Sequence, residues 1–357
     1  MNKNKTISFV IGTAISVAAI YISFRNIPVD DLLQYITSIN YLWAIPAGLV
    51  GLSTFIFRAL RWQAILKPVR KISFVQSFHP VMISFMINCI LPGRVGEAAR
   101  PAILLKNEKL PFSTGLATVA VDRLFDVIFM FLIFLLIMAN ITIKPDLVID
   151  FGGYHLNKDV LTSAGRNIIV MGVMIILGIF LLLFDKTRRI IDYLISKLPV
   201  VFFLAGAAFK KKIEDRFCIP AQKILKNFSD GFLLIKSPKI ILICIFYTMI
   251  IWFLCAVSYY LLSFGCPRID ISFMEFTAVM IIVCFFIALP SVPGYWGLWE
   301  AGGIFSMALF GVSAKDAAGY TLINHFIQII PVVIMGLVSA MITGITIRKA
   351  ASIKQEG

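Results

Sequence analysis

FVQSFHPVMISFMINCILPGRVGEAAR, residues 74–100, is the stretch on which the fold turns. Its first 18 residues are uncharged, then Pro92-Gly93 interrupts, and Arg94, Gly96, Glu97 and Arg100 follow at once. A helix needs ~20 apolar residues to cross a ~30 Å hydrocarbon core, so the run is nearly long enough to span. The segment before it, 58–71, carries Arg58, Arg61, Lys67, Arg70 and Lys71 and no acid, which marks it as cytoplasmic. A full crossing would therefore leave Arg94, Arg100, Lys106 and Lys109 on the wrong side. Proline and glycine break a helix. A re-entrant hairpin that enters from the cytoplasm and returns removes the conflict, and such broken backbone is tolerated at depth where protein or a watery cavity covers it.

Working outward, further uncharged runs occupy 6–24, 41–57, 127–143, 167–184, 240–264 and 317–347. Hydrophobic residues make up 59% of the chain and charged ones 15%, against about a quarter charged in a soluble domain. The weak alternation of an outer-membrane barrel is absent. The expectation is an all-α polytopic membrane protein of six to eight transmembrane helices, forming one membrane domain over 1–347 with a short cytoplasmic tail at 348–357. The first run is too long for a signal h-region and has no small-x-small cleavage site after it, so it reads as a retained helix. The net charge of +14 invites a nucleic-acid reading, but the charges lie between the apolar runs. The positive-inside effect accounts for them, with attraction to anionic head groups second. Cys89, Cys218, Cys244, Cys255, Cys266 and Cys284 show no C-x-x-C spacing and imply neither a disulfide framework nor a zinc site. No metal, cofactor or nucleic-acid partner is expected.

The charge pattern sets a topology. Lys3 and Lys5 place the N-terminus in the cytoplasm, and 25–40, with Arg25 against Asp30 and Asp31, fits outside. A helix over about 116–140 runs outward, and the balanced 140–166 loop lies outside. The 185–239 segment, with 12 Lys/Arg against 5 Asp/Glu, is cytoplasmic, its apolar middle at 199–209 suiting an interfacial element. Run 273–289 ends in Pro290, then Pro293, Gly294 and Gly297, a second broken hairpin entering from outside. The last run returns inward with a kink at Pro331, to Arg348, Lys349 and Lys354. The chain thus divides into inverted halves, about 1–143 and 166–347, whose hairpin tips share Leu-Pro, glycines and a trailing glutamate. The competing picture is eight ordinary spans. Paired broken segments in inverted halves point to a transport site.

Ionisable groups inside a membrane are costly and usually functional. Arg58-x-x-Arg61-Trp62 sets two guanidinium groups on one helical face, where they suit a phosphate or serve as interface anchors. The tip from Asn88 to Arg100 holds Pro92, Gly93, Arg94, Gly96, Glu97 and Arg100, and a helix resuming after Gly93 would put Arg94, Glu97 and Arg100 on one face. Asp122-Arg123-x-x-Asp126 suggests a buried network with that tip, Glu97 with Arg123 or Asp126 with Arg94, either structural or for binding. Glu300 follows the second tip with no basic residue near it in sequence, so its partner is another segment or a proton. His325, with Asn324 and Gln328, gives the last helix a polar face and reads as a satisfied core histidine; His79 before Pro80 reads as an interfacial helix start.

In order, Arg-x-x-Arg-Trp, Leu-Pro-Gly-Arg-x-Gly-Glu, acid-Arg-x-x-Asp and Pro-x-x-Pro-Gly-x-x-Gly-x-x-Glu resemble the lysylphosphatidylglycerol synthase transmembrane region, or flippase-like domain, over about residues 5–345. In the larger members of that family the membrane domain translocates an aminoacylated phospholipid made by a fused cytosolic domain. Stand-alone members are associated with lipid-linked sugar or envelope pathways. The resemblance places Arg94, Glu97, Arg100, Asp122, Arg123, Asp126 and Glu300 on the family's polar positions. Asp122 stands where Glu is common and Tyr295 where glycine is, departures that suit a different substrate.

The resulting expectation is a translocase in the cytoplasmic membrane, both termini inside, for an anionic, aminoacylated or lipid-linked phosphate head group. Its expected partners are a phospholipid or polyprenyl-linked lipid and an envelope-lipid synthase. No segment is long enough for the aminoacyl-transferase fold, so enzymatic activity is not expected. The alternatives are a membrane-embedded transferase acting on a lipid phosphate and a non-transporting partner of an envelope-lipid enzyme.

Overall fold

A computed structural model describes residues 3–91, 94–140, 148–151, 154–183, 185–201, 206–222, 237–290 and 292–345. In chain order, the helices are α1 (Lys3–Phe24), α2 (Val29–Thr37), α3 (Ala44–Leu66), α4 (Phe74–Ile90), α5 (Ala99–Glu108) and α6 (Phe112–Asn140). A small antiparallel pair, β1 (Val148–Phe151) and β2 (Tyr154–Asn157), follows. Then come α7 (Lys158–Leu183), α8 (Asp185–Val201), α9 (Ala207–Ile213), α10 (Pro238–Ser263), α11 (Phe273–Ala288), α12 (Leu298–Ala308) and α13 (Ala314–Thr343). Among the described residues, four helical stretches are long and apolar enough to cross a membrane: Tyr41–Leu66, Asp159–Gly178, Pro238–Ser263 and Ala314–Thr343. Shorter apolar helices join them at Gly12–Phe24, Phe74–Ile90 and Phe273–Ala288. Leu49, Leu136, Phe246, Phe253, Ile334 and Met341 point outward at half or more exposure, apolar surface that only lipid would cover. The protein is an all-α, multi-pass membrane protein.

α3 and α10 form the central pair and lie antiparallel. Trp43 meets Phe264, Ser258 Oγ donates to the Ala47 carbonyl at 2.7 Å, and Phe57 meets Tyr247. Each is followed by the same series. Ser73 caps α4, trading bonds with Gln76, and Ser272 caps α11, trading bonds with Glu275. Reciprocal capping of this kind satisfies the free N–H groups of a helix start. The capped helices run 17 and 16 residues, break, continue as short helices of 10 and 11, and lead into long ones of 29 and 30. At 1.5 Å per residue the short arms α5 and α12 reach about 15 Å, half a bilayer core. With their first helices antiparallel, the two series run in opposite directions, the inverted repeat that the tips suggest.

The two tips meet. Arg94 Nη2 donates to the Ile287 carbonyl at 2.9 Å, and Gly294 sits against the Cys89 carbonyl. Pro92 and Gly93, expected to make the first break, lie outside the described residues. The long α13 covers α4 and α2: Gly336 faces Met86, and Gly319 faces the Tyr35 ring so closely that a side chain there would overlap it.

Several boundaries differ from the sequence expectation. α6 starts at Phe112, before residue 116, because Gly115 packs flush on Pro101 and lets the helix begin beside α5. His79 is not a helix start: Ser73 caps the helix a turn and a half earlier, and Pro80 sits in its interior. The 25–40 segment contains α2, and the 140–166 segment contains β1, β2 and the start of α7. The 185–239 segment is helical where described, over α8, α9 and Glu214–Cys218; much of its remainder, with the C-terminal tail, lies outside the described residues.

Candidate functional site

The charged residues of α3, α5 and α6 gather into one network. Asp122 lies just ahead of the uncharged part of α6, with its carboxylate wholly buried and surrounded by guanidinium groups. Arg61 Nε donates to its Oδ1 at 2.7 Å, Arg100 Nη1 to Oδ2 at 2.7 Å and Arg123 Nη2 to Oδ2 at 3.1 Å. One turn on, Asp126 faces the same way and meets Arg61 at 2.7 Å and Arg58 and Arg123 at 3.3 Å. Glu97 Oε1 lies 3.8 Å from Arg123. The i, i+4 spacing of Asp122 and Asp126 and the i, i+3 spacing of Arg58 and Arg61 are what allow the two helices to interleave their charges.

Two further residues complete the surroundings. Arg61 Nη1 also donates to Thr248 Oγ1 of α10 at 2.9 Å, and Trp62 Nε1 donates to Thr118 Oγ1 at 3.1 Å. The Phe85 ring of α4 lies 5.2–5.4 Å from the guanidinium carbons of Arg58, Arg100 and Arg123, a distance at which an aromatic face attracts a cation. Phe85 and Thr248 sit inside unbroken apolar runs, and no sequence signal singles them out.

Charge and donors both stand in excess. Four arginines (58, 61, 100, 123) meet three acids (97, 122, 126), which leaves one positive charge. Arg58 Nε, Arg61 Nη2, Arg100 Nε and Nη2 and Arg123 Nε, five donors, are buried without a hydrogen-bond partner, against two such acceptors, Glu97 Oε2 and Asp126 Oδ1. A buried donor left unpaired is costly, so such groups normally have a reason. Arg61, Arg100 and Asp122 are fully buried and form a floor, whereas the Arg123 and Glu97 side chains are 29% and 24% exposed and form the rim.

The first tip borders this rim. Asn88 Oδ1 accepts from Gly96 N at 2.8 Å, and Asn88 Nδ2 donates to Glu97 Oε1 at 3.4 Å. Arg94 does not share a helical face with Glu97 and Arg100. It takes a left-handed backbone (φ 53°) before the helical turn and reaches the second hairpin instead of Asp126. The basic ends of α3 and α10 come together around an open cleft of about 840 Å³, lined by Leu60, Gln63, Lys67, Lys71, Lys239 and Tyr247 and by none of the network's charged residues.

Glu300 is built into a separate site in the second hairpin. Its Oε2 accepts from Gly297 N at 2.7 Å, and its Oε1 lies 2.5 Å from Nδ1 of His325 on α13. His325 Nε2 donates to the Gly294 carbonyl at 2.7 Å. The imidazole stacks flat on Trp299 and leans on Trp296. Glu300 therefore has a basic partner after all, 25 residues away and on another helix, and both nitrogens of the core histidine are satisfied. Pro293, Gly294 and Gly297 make the turn, with Gly297 at φ 87°; Pro290 precedes it.

With the paired hairpins and the arginine–aspartate network in place, comparison with known proteins is decisive: the lysylphosphatidylglycerol synthase TM region matches residues 9–336. The chain belongs to this family. Among curated relatives, a UPF0104 membrane protein of Methanocaldococcus jannaschii is 25% identical over 254 residues, 71% of this chain and 92% of that protein. A UPF0104 membrane protein of Archaeoglobus fulgidus is 24% identical over 301 residues, 81% of this chain and 83% of that protein. The glycosyltransferase AglD of Haloferax volcanii is 22% identical over 127 residues, 35% of this chain and only 20% of its own length. Within the TM-region family, then, this chain is matched over most of its length by membrane proteins of similar size and only in part by a larger one.

Proposed function

We propose that the protein is a lipid translocase of a cytoplasmic membrane, with both termini in the cytoplasm, and that its substrate carries an anionic, aminoacylated or lipid-linked phosphate head group. The observation that carries this is the arginine network: a surplus positive charge and five buried, unpartnered guanidinium nitrogens, three on the buried floor at Arg61 and Arg100 and two nearer the rim at Arg58 and Arg123. Guanidinium forks match phosphate oxygens in pairs. In this scheme Asp122 and Asp126 fix the arginines, Arg123 and Arg58 take the phosphate, and Glu97 opposes the ammonium of an aminoacyl head group or gives way to the phosphate. The lysine-lined cleft at the ends of α3 and α10 supplies the way in, its apolar wall of Leu60, Ile240 and Ile243 receiving acyl chain. Rocking of one half against the other exposes the site alternately.

The test is head-group flipping in proteoliposomes with phosphatidylglycerol, lysylphosphatidylglycerol and a polyprenyl phosphate, comparing wild type with Glu97→Gln and Arg123→Gln. Flipping of one class, lost in both folded variants, is the expected result. No flipping of any class by folded, inserted protein overturns it. The partial match to a glycosyltransferase favours a second reading, in which the same network binds the lipid phosphate for a transferase or for a synthase partner. That reading predicts lipid binding, and product formation on adding the sugar donor or the partner, without flipping.

A further inference from the structure

We infer that the Glu300–His325 pair is a proton-binding site whose occupancy locks the two hairpin tips together, and that its proton is the ion coupled to head-group movement; the coupling rests on the translocase reading above. The hydrogen-bond geometry requires the proton. The Gly294 carbonyl only accepts, so His325 Nε2 carries a hydrogen toward it. At 2.5 Å, Nδ1 and the Glu300 Oε1 need one more hydrogen between them. Whether that hydrogen sits on nitrogen or oxygen, the pair is neutral overall. Its loss leaves an imidazole lone pair facing a carboxylate, with one net negative charge at residues 0% and 1% exposed. An uncompensated buried charge of this kind is strongly unfavourable, so release of the proton separates the pair.

Separation acts on a tight left-handed turn. Gly294, Tyr295 and Gly297 all have positive φ (73°, 63° and 87°), and Glu300 and His325 hold that turn at Gly297 N and the Gly294 carbonyl. Gly294 also lies near the end of α4, where a side chain added to it would reach the Cys89 carbonyl, beside the contact of Arg94 with Ile287. Freed of the imidazole, the turn loses its anchor at the point where it touches the first hairpin, whose Asn88 and Glu97 border the arginine rim. A proton bound in one half thus sets the position of the tip that closes the head-group site in the other.

Nearby titratable groups on the packed elements include Cys255 and Tyr259 of α10, Cys284 of α11, Tyr295 of the turn and Tyr320 of α13, with Cys89 and Arg94 of the first hairpin against the turn. Tyr320 donates to the Tyr259 carbonyl and Tyr259 lies over Trp299. On α12 Glu300 is the only acid or base; α13 carries Lys315 and Asp316 in its first turn, nine or more residues before His325, and α11 has Glu275 at its far end. α1 contributes Ser16, whose hydroxyl accepts from Val292 N. No other acid or base among the described residues meets this pair by hydrogen bond or ion pair.

Two measurements test the inference on the full chain. In liposomes loaded with a lumenal pH dye and carrying tail-labelled phosphatidylglycerol, lysylphosphatidylglycerol or a polyprenyl phosphate, a pH difference of one unit across the membrane should bias the transported lipid between leaflets by up to about tenfold, the limit for one proton per lipid. The lumenal pH should change only when that lipid is present. Glu300→Gln keeps both hydrogen bonds, its amide N–H toward Nδ1 and its carbonyl toward Gly297 N, but holds no titrating proton; it should lose the bias and the proton flux, as should His325→Gln. Even lipid distribution in wild type, or a full bias in Glu300→Gln, overturns the coupling. In parallel, hydrogen exchange of the amides at 294–297 should accelerate with pH in wild type beyond the chemical rate seen in Glu300→Gln. Identical exchange in the two proteins overturns the lock, whatever the lipid does. Absence of flipping by wild type with all three lipids, beside an intact lock, instead removes the translocase reading.

Discussion

Asp122→Asn should be among the most damaging single-atom changes in this protein. The Asp122 carboxylate accepts from three guanidinium groups at 2.7, 2.7 and 3.1 Å and has no access to solvent. The amide replaces one acceptor by an NH₂ that faces guanidinium donors, and the surplus of the network rises from one positive charge to two. Removing one partner of a buried ion pair costs ~3–5 kcal/mol because it strands the other. A loss of about 4 kcal/mol shifts the unfolding equilibrium about a thousandfold toward the unfolded state. Denaturation in detergent micelles, followed by far-UV circular dichroism, reads this directly. Arg100→Gln in the Asp122→Asn background removes the stranded cation, so the double variant should be more stable than the sum of the singles by more than about 1 kcal/mol. Glu97→Gln is the control at the rim: partly exposed and 3.8 Å from Arg123, it should cost less than about 1 kcal/mol while abolishing flipping. A cost under about 1 kcal/mol for Asp122→Asn, or simple additivity with Arg100→Gln, would refute the claim that Asp122 holds the arginines in place.

Two further outcomes follow from close packing. Gly319→Ala puts a methyl into the Tyr35 ring and should cost ~1–3 kcal/mol, with faster proteolysis in α2 as the visible sign that α2 has left α13. Asn88→Leu removes the acceptor of the buried Gly96 N–H and should cost ~1–3 kcal/mol; limited proteolysis near residues 91–98 should locate the damage at the first tip, and full protection there would count against Asn88 as its clasp.

The membrane fold was legible because lipid imposes a simple rule on composition. Uncharged runs of bilayer length suit a hydrocarbon core and little else, and a proline–glycine break between two basic segments leaves a hairpin as the economical solution. The pair of interrupted apolar runs was legible for the same reason, since both tips carry Leu-Pro, glycines and a trailing glutamate; the matching caps at Ser73 and Ser272 emerged only with the structure. The residues of the arginine network were also visible, because a charge inside an apolar run is conspicuous. Of their pairing, only Glu97 with Arg123 was. Arg94 and Glu97 are three apart, but the left-handed turn at Arg94 sends the one to the opposite hairpin and leaves the other on the rim. Which acid meets which guanidinium depends on how α3, α5 and α6 cross, and sequence spacing constrains only residues on one helix. Glu300 makes the point most sharply. Its neighbours in sequence offer no partner, and its proton-sharing contact with His325 exists only because α12 packs on α13 with Trp299 lying flat on the imidazole. Sequence determined which groups must be buried; tertiary packing decided which of them neutralise one another, because a low-dielectric interior allows each buried charge to persist only where another element brings its partner.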